Sequence, residues 1–173
     1  MSDTLITIIA IFLAAVLMFI VPLMSITERN DDIAQSVVQT ATSEFVDTIS
    51  NAGSIKQSDY DAYVQKLAST GNTFDIEMEV QHLDENPGKK SAVTSGDLIG
   101  ENIRYSTFTS EIEAQLTQNG SYPLKKGDNV VVTAKNTNKT IAQSLRTFLY
   151  KVTGQGTHQI AASSSSMVVN TGR

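Results

Sequence analysis

The sequence contains no cysteine and no tryptophan, and it has only two histidines among 173 residues. Without cysteine the chain can form no disulfide, no thiol nucleophile and no cysteine-ligated zinc or iron–sulfur site. Basic residues are also scarce, since 13 Lys and Arg stand against 18 Asp and Glu. Because phosphate binding needs a basic face, this balance argues against DNA, RNA or anionic lipid as the main partner.

Charge is absent altogether from residues 5–26, LITIIAIFLAAVLMFIVPLMSI. A helix of this length reaches roughly 33 Å, enough for the roughly 30 Å hydrocarbon core of a bilayer. The stretch therefore predicts a membrane-spanning anchor, or a helix that leaves the membrane to pack among copies of itself. The start of the chain lacks the positive region and the small-x-small cleavage site of a signal peptide, which favours retention of this segment.

The orientation of the anchor is indicated by two opposing features. Arg29 is the only basic residue near the span, and the positive-inside rule would place it in the cytoplasm. The acidic flank of Glu28, Asp31 and Asp32, together with the size of the following domain, favours export. We expect the C-terminal domain to lie outside the cell, with the protein crossing the membrane once.

The residues after the anchor predict a second helical half. Ile33, Val37, Ala41, Phe45 and Ile49 recur at every fourth position, which indicates an apolar stripe over residues 33–50. We predict one long helix, with a possible bend at a proline within the span or near residue 30. The chain then divides into an anchor, 1–32, and a head, 33–173, with helix 33–50 shared between them.

The head is predicted to be α+β, with the long helix and further helices packed on an antiparallel sheet of about three strands. Residues 74–82 alternate apolar and charged side chains, as a half-buried strand does. Three further helices are predicted: one capped by Ser58, one capped by Thr107 or Thr109, and one after residue 140. The apolar stripe of the second consists of Phe108, Ile112 and Leu116, and that of the third of Ile141, Leu145, Phe148 and Leu149. Two further strands are predicted at 129–134 and 159–169.

A search for catalytic chemistry finds no motif. His82 and His158 have no convergent partners in sequence, so we expect surface or strand-end roles. The run Ser163–Ser166 is best explained as small residues where a helix approaches a strand closely. Residues 84–90 do not fit a calcium loop, and Asp75, Glu77 and Glu79 suggest a solvated strand face, with weak cation binding as the alternative. We predict no catalytic, cofactor or metal residues, and no enzyme.

The layout of an apolar helix, an amphipathic continuation and a small α+β head resembles the pilins and pseudopilins of the type IV filament superfamily. It is most similar to the pilin-like proteins of tight-adherence systems in Gram-positive bacteria. The resemblance implies that the helix holds the subunit in the membrane before assembly. The subunits then stack these helices into a filament core, with copies of the chain and assembly-machine proteins as partners.

The predicted assembly interface lies on the apolar helix. Asp3 is the only charge ahead of it, and its carboxylate either ends the span at headgroup level or pairs with the α-amino group of a neighbouring copy. The alternatives to a filament subunit are a single-pass accessory subunit of a secretion or conjugation machine and a membrane-tethered binding protein or enzyme. The predicted interface residues are Asp3, Leu5, Ile9, Ala10, Phe12, Leu13, Ala14, Val16, Leu17, Phe19, Ile20 and Pro22.

Overall fold

The computed structural model of the chain describes residues 2–83, 104–150 and 159–171, and it confirms an α+β fold. The helices in that part are α1 (Ser2–Ala52), α2 (Gln57–Ala68), α3 (Thr109–Asn119) and α4 (Ile141–Tyr150). The strands are β1 (Ser54–Lys56), β2 (Phe74–Leu83), β3 (Arg104–Phe108), β4 (Ser121–Pro123), β5 (Asn129–Asn136) and β6 (Ala161–Met167). The predictions for residues 84–90 and for His158 lie outside the described residues.

Four strands form the main sheet in the order β3-β2-β5-β6, and every neighbouring pair is antiparallel. Val80 in β2 lies opposite Val130 in β5 on one side and opposite Thr107 in β3 on the other. A separate antiparallel pair joins β1 to β4. The sequence predicted about three strands, because β3 and the three-residue strands β1 and β4 are too short to show a clear alternation.

Helix α1 runs without interruption from Ser2 to Ala52, so the predicted continuous helix is confirmed. It includes Pro22, whose missing N–H removes only one bond of the helical ladder. Gly53 ends the helix with a φ of 68°, a left-handed conformation that favours glycine, and its N–H donates to the Ile49 carbonyl at 2.9 Å.

The core lies between the second half of α1 and the inner face of the sheet. The α1 side chains buried there are Ala34, Val38, Ala41, Phe45, Val46 and Ile49, and they belong to the same cluster as Met78, Val80, Val130 and Val132 of the sheet. Each fully buried valine or isoleucine contributes about 1.5–3 kcal/mol relative to exposure. This packing fixes the direction in which α1 leaves the head.

The predicted stripe on α1 is wrong at its first two positions. Ile33 is 56% exposed and Val37 is half-buried, whereas Ala34 and Val38 take the core positions. A row of residues spaced by exactly four winds around a helix by about 40° at each step, since the helix turns about 100° per residue. Ile33 therefore lies far around the helix from Ile49.

The predicted caps of α2 and α3 are also wrong. Helix α2 begins one residue before Ser58, with Lys56 at the N-cap and no side-chain cap bond. Helix α3 has Phe108 at its N-cap, and this ring is exposed rather than part of the stripe, which is formed by Ile112 and Leu116. The Thr109 hydroxyl is instead engaged by strand β2, where it accepts from the Met78 N–H at 2.7 Å.

Helix α4 and strand β6 lie beside α1. In α4 the predicted stripe fails at Ile141, which is exposed, while Ala142 and Gln143 are buried instead. In β6 the side chains of Ala162, Ser164 and Ser166 point to the inner face and are buried or half-buried. Because α1 packs on this strand, the short side chains allow the close approach that the serine run predicted.

Candidate functional site: the apolar helix and its junction with the head

The first half of α1 has the length and composition to cross a membrane, and no part of its most apolar window is buried in the chain. Phe12 and Phe19 are 69% and 78% exposed, values that a water-facing helix would not sustain. The predicted interface residues that lie exposed are Asp3, Leu5, Ile9, Ala10, Phe12, Leu13, Ala14, Leu17, Phe19 and Pro22. Val16 and Ile20 are half-buried, so the helix is more shielded on that side.

Asp3 lies in the first turn of α1, where a carboxylate suits the positive end of the helix dipole. Its backbone carbonyl accepts from the Thr7 hydroxyl at 2.8 Å. The side chain itself is exposed. The proposed pairing of this carboxylate with a neighbouring copy stays a prediction.

Residues 27–31 of α1 follow the apolar first half of the helix, residues 5–26, which we call the rod, and they make its first contacts with the head. The Thr27 hydroxyl donates back to the Leu23 and Met24 carbonyls at 3.0 and 2.9 Å, so this buried polar group is satisfied within the helix. At the next residue, the Glu28 carboxylate accepts from the Arg146 guanidinium of α4 at 2.9 and 3.0 Å. A half-buried, two-point ion pair of this kind holds α4 against α1.

A second set of contacts extends the junction. The Thr140 hydroxyl, just before α4, donates to the Asp31 carboxylate at 2.7 Å. The Gln35 side chain bonds both backbone groups of Ala161, donating to its carbonyl at 2.7 Å and accepting from its N–H at 3.0 Å. At the far end of β6 the Val169 N–H donates to the Ser50 carbonyl at 3.2 Å. Helix α1 is thereby tied to the edge of the sheet at both ends of β6.

A polar cleft of about 370 Å³ lies at this junction. Three acidic side chains line it, but Glu28 is paired with Arg146 and Asp31 with Thr140, which leaves only Asp32 exposed without either contact. Among the residues that the structure describes, no group of three or more His, Asp or Glu side chains could hold a metal ion. The cleft therefore joins elements rather than presenting chelating groups.

His82 is at the end of β2, as predicted, but it is buried rather than on the surface. Its Nδ1 lies 2.9 Å from the Asp128 carboxylate and its Nε2 lies 2.8 Å from the Tyr122 hydroxyl. The Asp128 carboxylate also accepts from the Lys125 N–H at 2.8 Å. This buried network joins β2, β4 and the turn before β5. No local pattern predicts it, because Tyr122 and Asp128 lie 40 and 46 residues from His82 along the chain.

Two of the acidic side chains on the outer face of β2 contact polar side chains of the neighbouring strands. The Lys135 ammonium on β5 pairs with Glu77 at 2.7 Å, and the Ser106 hydroxyl on β3 donates to Glu79 at 2.6 Å. The bond from Ser106, with a second from Gln81, holds the pKa of the Glu79 carboxyl below its usual range. These contacts support a solvated strand face over the alternative of a cation site.

Comparison of the chain with protein-family models, with curated protein sequences and with solved structures found no match. The architecture itself, a long N-terminal apolar helix packed on a small sheet, is compatible with that of pilin-like proteins.

Proposed function

We propose that the chain is a structural, pilin-like subunit of an extracellular filament, assembled through its N-terminal apolar helix. The observation that carries the proposal is the form of α1, one helix whose second half is built into the core and whose first half is an uncovered apolar rod. Such a rod must be covered by lipid or by other copies, because each large apolar side chain left in water costs about 1.5–3 kcal/mol.

The division of the subunit into rod and head supports a helical assembly. A chain with one apolar rod and one polar head makes contacts between different surfaces of successive copies, and contacts of that type build open filaments. Ala10, Ala14 and Ala15 are exposed on the rod and let neighbouring helices approach closely. The hydrogen bonds and the ion pair that join α1 to α4 and β6 hold the rod in a fixed orientation relative to the head. Regular stacking of the rods would therefore place the heads in a regular array on the outside of the filament.

Before assembly, the rod would hold the subunit in the membrane with its head outside the cell. The helix has the length and composition for this role. The proposal includes the resemblance to tight-adherence pilin-like proteins, and with it a transient partnership with assembly-machine proteins. The acidic flank after the span, at Glu28, Asp31 and Asp32, supports an exported head.

A second candidate function is a single-pass accessory subunit that stays in the bilayer. The observation that favours it is the exposure of large apolar side chains around most of the rod, which suits lipid as well as protein neighbours. Ile6, Ile8 and Ile11 are 62%, 64% and 65% exposed and point in different directions around the helix.

Shearing of the producing cells separates the two candidates. We expect the intact chain to appear in the sheared, sedimentable surface fraction, and an antibody against the head to decorate filaments in electron micrographs. An integral membrane protein of the same cells serves as the control and should remain with the cells. Recovery of the chain only from detergent-extracted membranes would replace the filament proposal by the accessory subunit.

A further inference from the structure

Strand β6 forms one outer edge of the main sheet, with β5 on one side and no described strand on the other. In an antiparallel ladder, successive residues turn their backbone N–H and C=O groups to opposite sides of the strand. The Asn136 N–H donates to the Ile160 carbonyl at 2.9 Å, and the Val168 N–H donates to the Asp128 carbonyl at 2.8 Å. The even-numbered residues of β6 therefore bond to β5, and the odd-numbered residues turn their backbone groups outwards.

Helix α1 occupies this outer edge at both of its ends. The Gln35 side chain bonds the N–H and the carbonyl of Ala161, and the Ser50 carbonyl accepts from the Val169 N–H at 3.2 Å. Between these positions, three exposed residues turn their backbone groups outwards and bond no described residue with them. Strand β6 also lacks charge and proline, which protect many sheet edges. The three residues are Ser163, Ser165 and Met167.

The opposite edge of the sheet, at β3, is open over the same length. The Thr137 N–H donates to the Thr73 carbonyl at 2.9 Å, so the odd-numbered residues of β2 bond to β5 and the even-numbered residues to β3. Since Val80 lies opposite Thr107, the odd-numbered residues of β3 bond to β2. The even-numbered residues turn outwards, where no described strand pairs with them. They are Arg104, Ser106 and Phe108.

We propose that β3 of one copy pairs with β6 of the next copy, so that the sheets of neighbouring heads join into one antiparallel sheet. The inference rests on the proposed function, which supplies neighbouring copies whose helices all point the same way. Pairing of this kind satisfies the free backbone groups of both edges at once. It is a contact between two different surfaces, which repeats from copy to copy along a filament.

The directions of the strands favour this pair of edges. Strand β6 runs in the same direction as α1, because Gln35 contacts Ala161 at its start and Ser50 contacts Val169 beyond its end. Strand β3 runs the opposite way, since three antiparallel pairings separate it from β6. In copies that point the same way, β3 beside β6 is therefore antiparallel. Two β6 strands or two β3 strands would instead be parallel, a slightly less stable arrangement.

The free residues select one register. With Ser106 opposite Ser165, every outward residue of β3 meets an unbonded residue of β6. Phe108 contributes its N–H, because as the N-cap of α3 its carbonyl accepts the first bond of that helix. The other two pairs in this register are Arg104 with Met167 and Phe108 with Ser163.

Other registers lose part of these bonds. A shift by two residues towards the start of β6 would place Phe108 opposite Ala161, and the opposite shift would place Arg104 opposite Val169. Helix α1 already bonds the backbone of both Ala161 and Val169. A shift by one residue would set outward groups against groups that point the other way. The register with Ser106 opposite Ser165 is thus the one that α1 leaves open.

The same register covers two exposed aromatic rings. Tyr105 and Phe108 are 50% and 59% exposed at the edge of the sheet. Each would lie opposite a serine of the other copy, Ser166 for Tyr105 and Ser163 for Phe108. The short serine side chains leave room for the rings, and the contact removes apolar surface from water.

Disulfide trapping tests the register, since the chain has no cysteine of its own. A full-length chain with Ser106→Cys is co-produced with a differently tagged chain with Ser165→Cys, and the cells are oxidised before the surface fraction is sheared. Opposite bonded residues have Cα atoms about 5.5 Å apart, which a disulfide spans. Ser163→Cys and Met167→Cys on the same edge are the matched controls. Each lies two residues along the strand, about 9 Å from the Ser106 position and beyond the reach of a disulfide.

We expect mixed dimers of the Ser106→Cys and Ser165→Cys chains at a yield at least about fivefold above either control pair. Equal trapping by the controls would overturn the pairing. Disulfides formed mainly between two Ser106→Cys chains, or between two Ser165→Cys chains, would also overturn it. Sheared filaments without the mixed dimer would overturn the pairing and leave the proposed function standing. Mixed dimers found only in detergent-extracted membranes would support the pairing and overturn the filament.

Replacement of Ser165 by proline gives a second probe that does not disturb the head. The Ser165 N–H points outwards, so its loss removes no bond between β5 and β6, and proline is tolerated at such edge positions. We expect Ser165→Pro to leave the circular dichroism of the solubilised chain unchanged. Trapping between Phe108→Cys and Ser163→Cys chains should fall at least about fivefold when the latter also carries Ser165→Pro. Undiminished trapping by a folded Ser165→Pro chain would overturn the strand pairing.

Discussion

Asp128 is almost fully buried, with 2% of its side chain exposed, and it accepts from both the His82 ring and the Lys125 N–H. A carboxylate can only accept, so Nδ1 of His82 carries a proton and, in the neutral ring, Nε2 accepts from the Tyr122 hydroxyl. The three side chains thus satisfy one another away from water. Their role at the residue scale is to fasten the turn before β5 to the end of β2.

Replacement of Asp128 by alanine should lower the free energy of unfolding by about 1–3 kcal/mol. The reason is that the buried His82 ring loses its acceptor, and a buried polar group without a partner costs about 1–3 kcal/mol. Denaturant unfolding of the detergent-solubilised full chain, followed by near-ultraviolet circular dichroism, measures the change. Asp47→Ala, at an exposed position of α1, is the control and should stay within about 0.5 kcal/mol. Equal losses for both variants would contradict the role of the network.

Three tyrosines in the head are expected to make stability fall at alkaline pH. Burial raises the pKa of Tyr60, and the bond from its hydroxyl to Glu113 at 2.7 Å raises it further. Burial also raises the pKa of Tyr63 and of Tyr122. Because the native pKa values lie above the ordinary value of about 10, the native state keeps protons that the unfolded state releases. Stability is therefore complete below about pH 10 and declines as the pH rises beyond it.

Comparison of Tyr60→Phe with the unchanged chain tests this expectation. The variant should lose less stability than the unchanged chain when the pH is raised from 8 to 11, since one of the late-titrating hydroxyls is gone. Unfolding curves at the two pH values give the difference, and the absorbance of tyrosinate reports the titration itself. An identical loss in both proteins would show that Tyr60 contributes nothing to the alkaline transition.

At the scale of elements, α1 presents two apolar faces that overlap along its length. One face, with Ala34, Val38 and Phe45, is buried in the head, and the other continues from the rod to Ile33. The sequence predicted the helix correctly but assigned Ile33 and Val37 to the wrong face. Alternating apolar residues define a strand face directly, whereas a long helix with apolar residues on two sides leaves its rotation to be fixed by what it packs against.

Replacement of Ala14 by leucine should impair assembly and leave the head folded. Added volume where helices approach closely costs about 1–3 kcal/mol per contact, which is roughly a 5- to 150-fold loss in association. Quantitation of the sheared surface fraction measures assembly, and circular dichroism of the solubilised chain checks the fold.

Ala14→Ser, which keeps the side chain small, is the matched control and should assemble normally. Normal filament yield from the leucine variant would mean that rods do not pack at this position, although they could still pack elsewhere.

At the scale of the whole molecule, the described core lies entirely within residues 34–168. We predict that residues 33–173, without the anchor, form a soluble folded monomer. This shortened chain loses the Glu28–Arg146 and Asp31–Thr140 contacts but keeps every member of the core cluster. Size-exclusion chromatography and cooperative thermal unfolding measure the outcome. An aggregated or non-cooperative product would show that the head depends on the rod, and that the division at residue 32 is wrong.

The sequence alone determined the helix from the anchor into the head, the α+β class, strands β2 and β5, and the lack of any thiol chemistry. These follow from local patterns and composition, which act between residues close together in the chain. Only the tertiary structure decided the strand order, the burial of His82 with Asp128 and Tyr122, and the outward face of Ile33. Those depend on contacts between residues tens of positions apart, and no local periodicity records which distant surfaces meet.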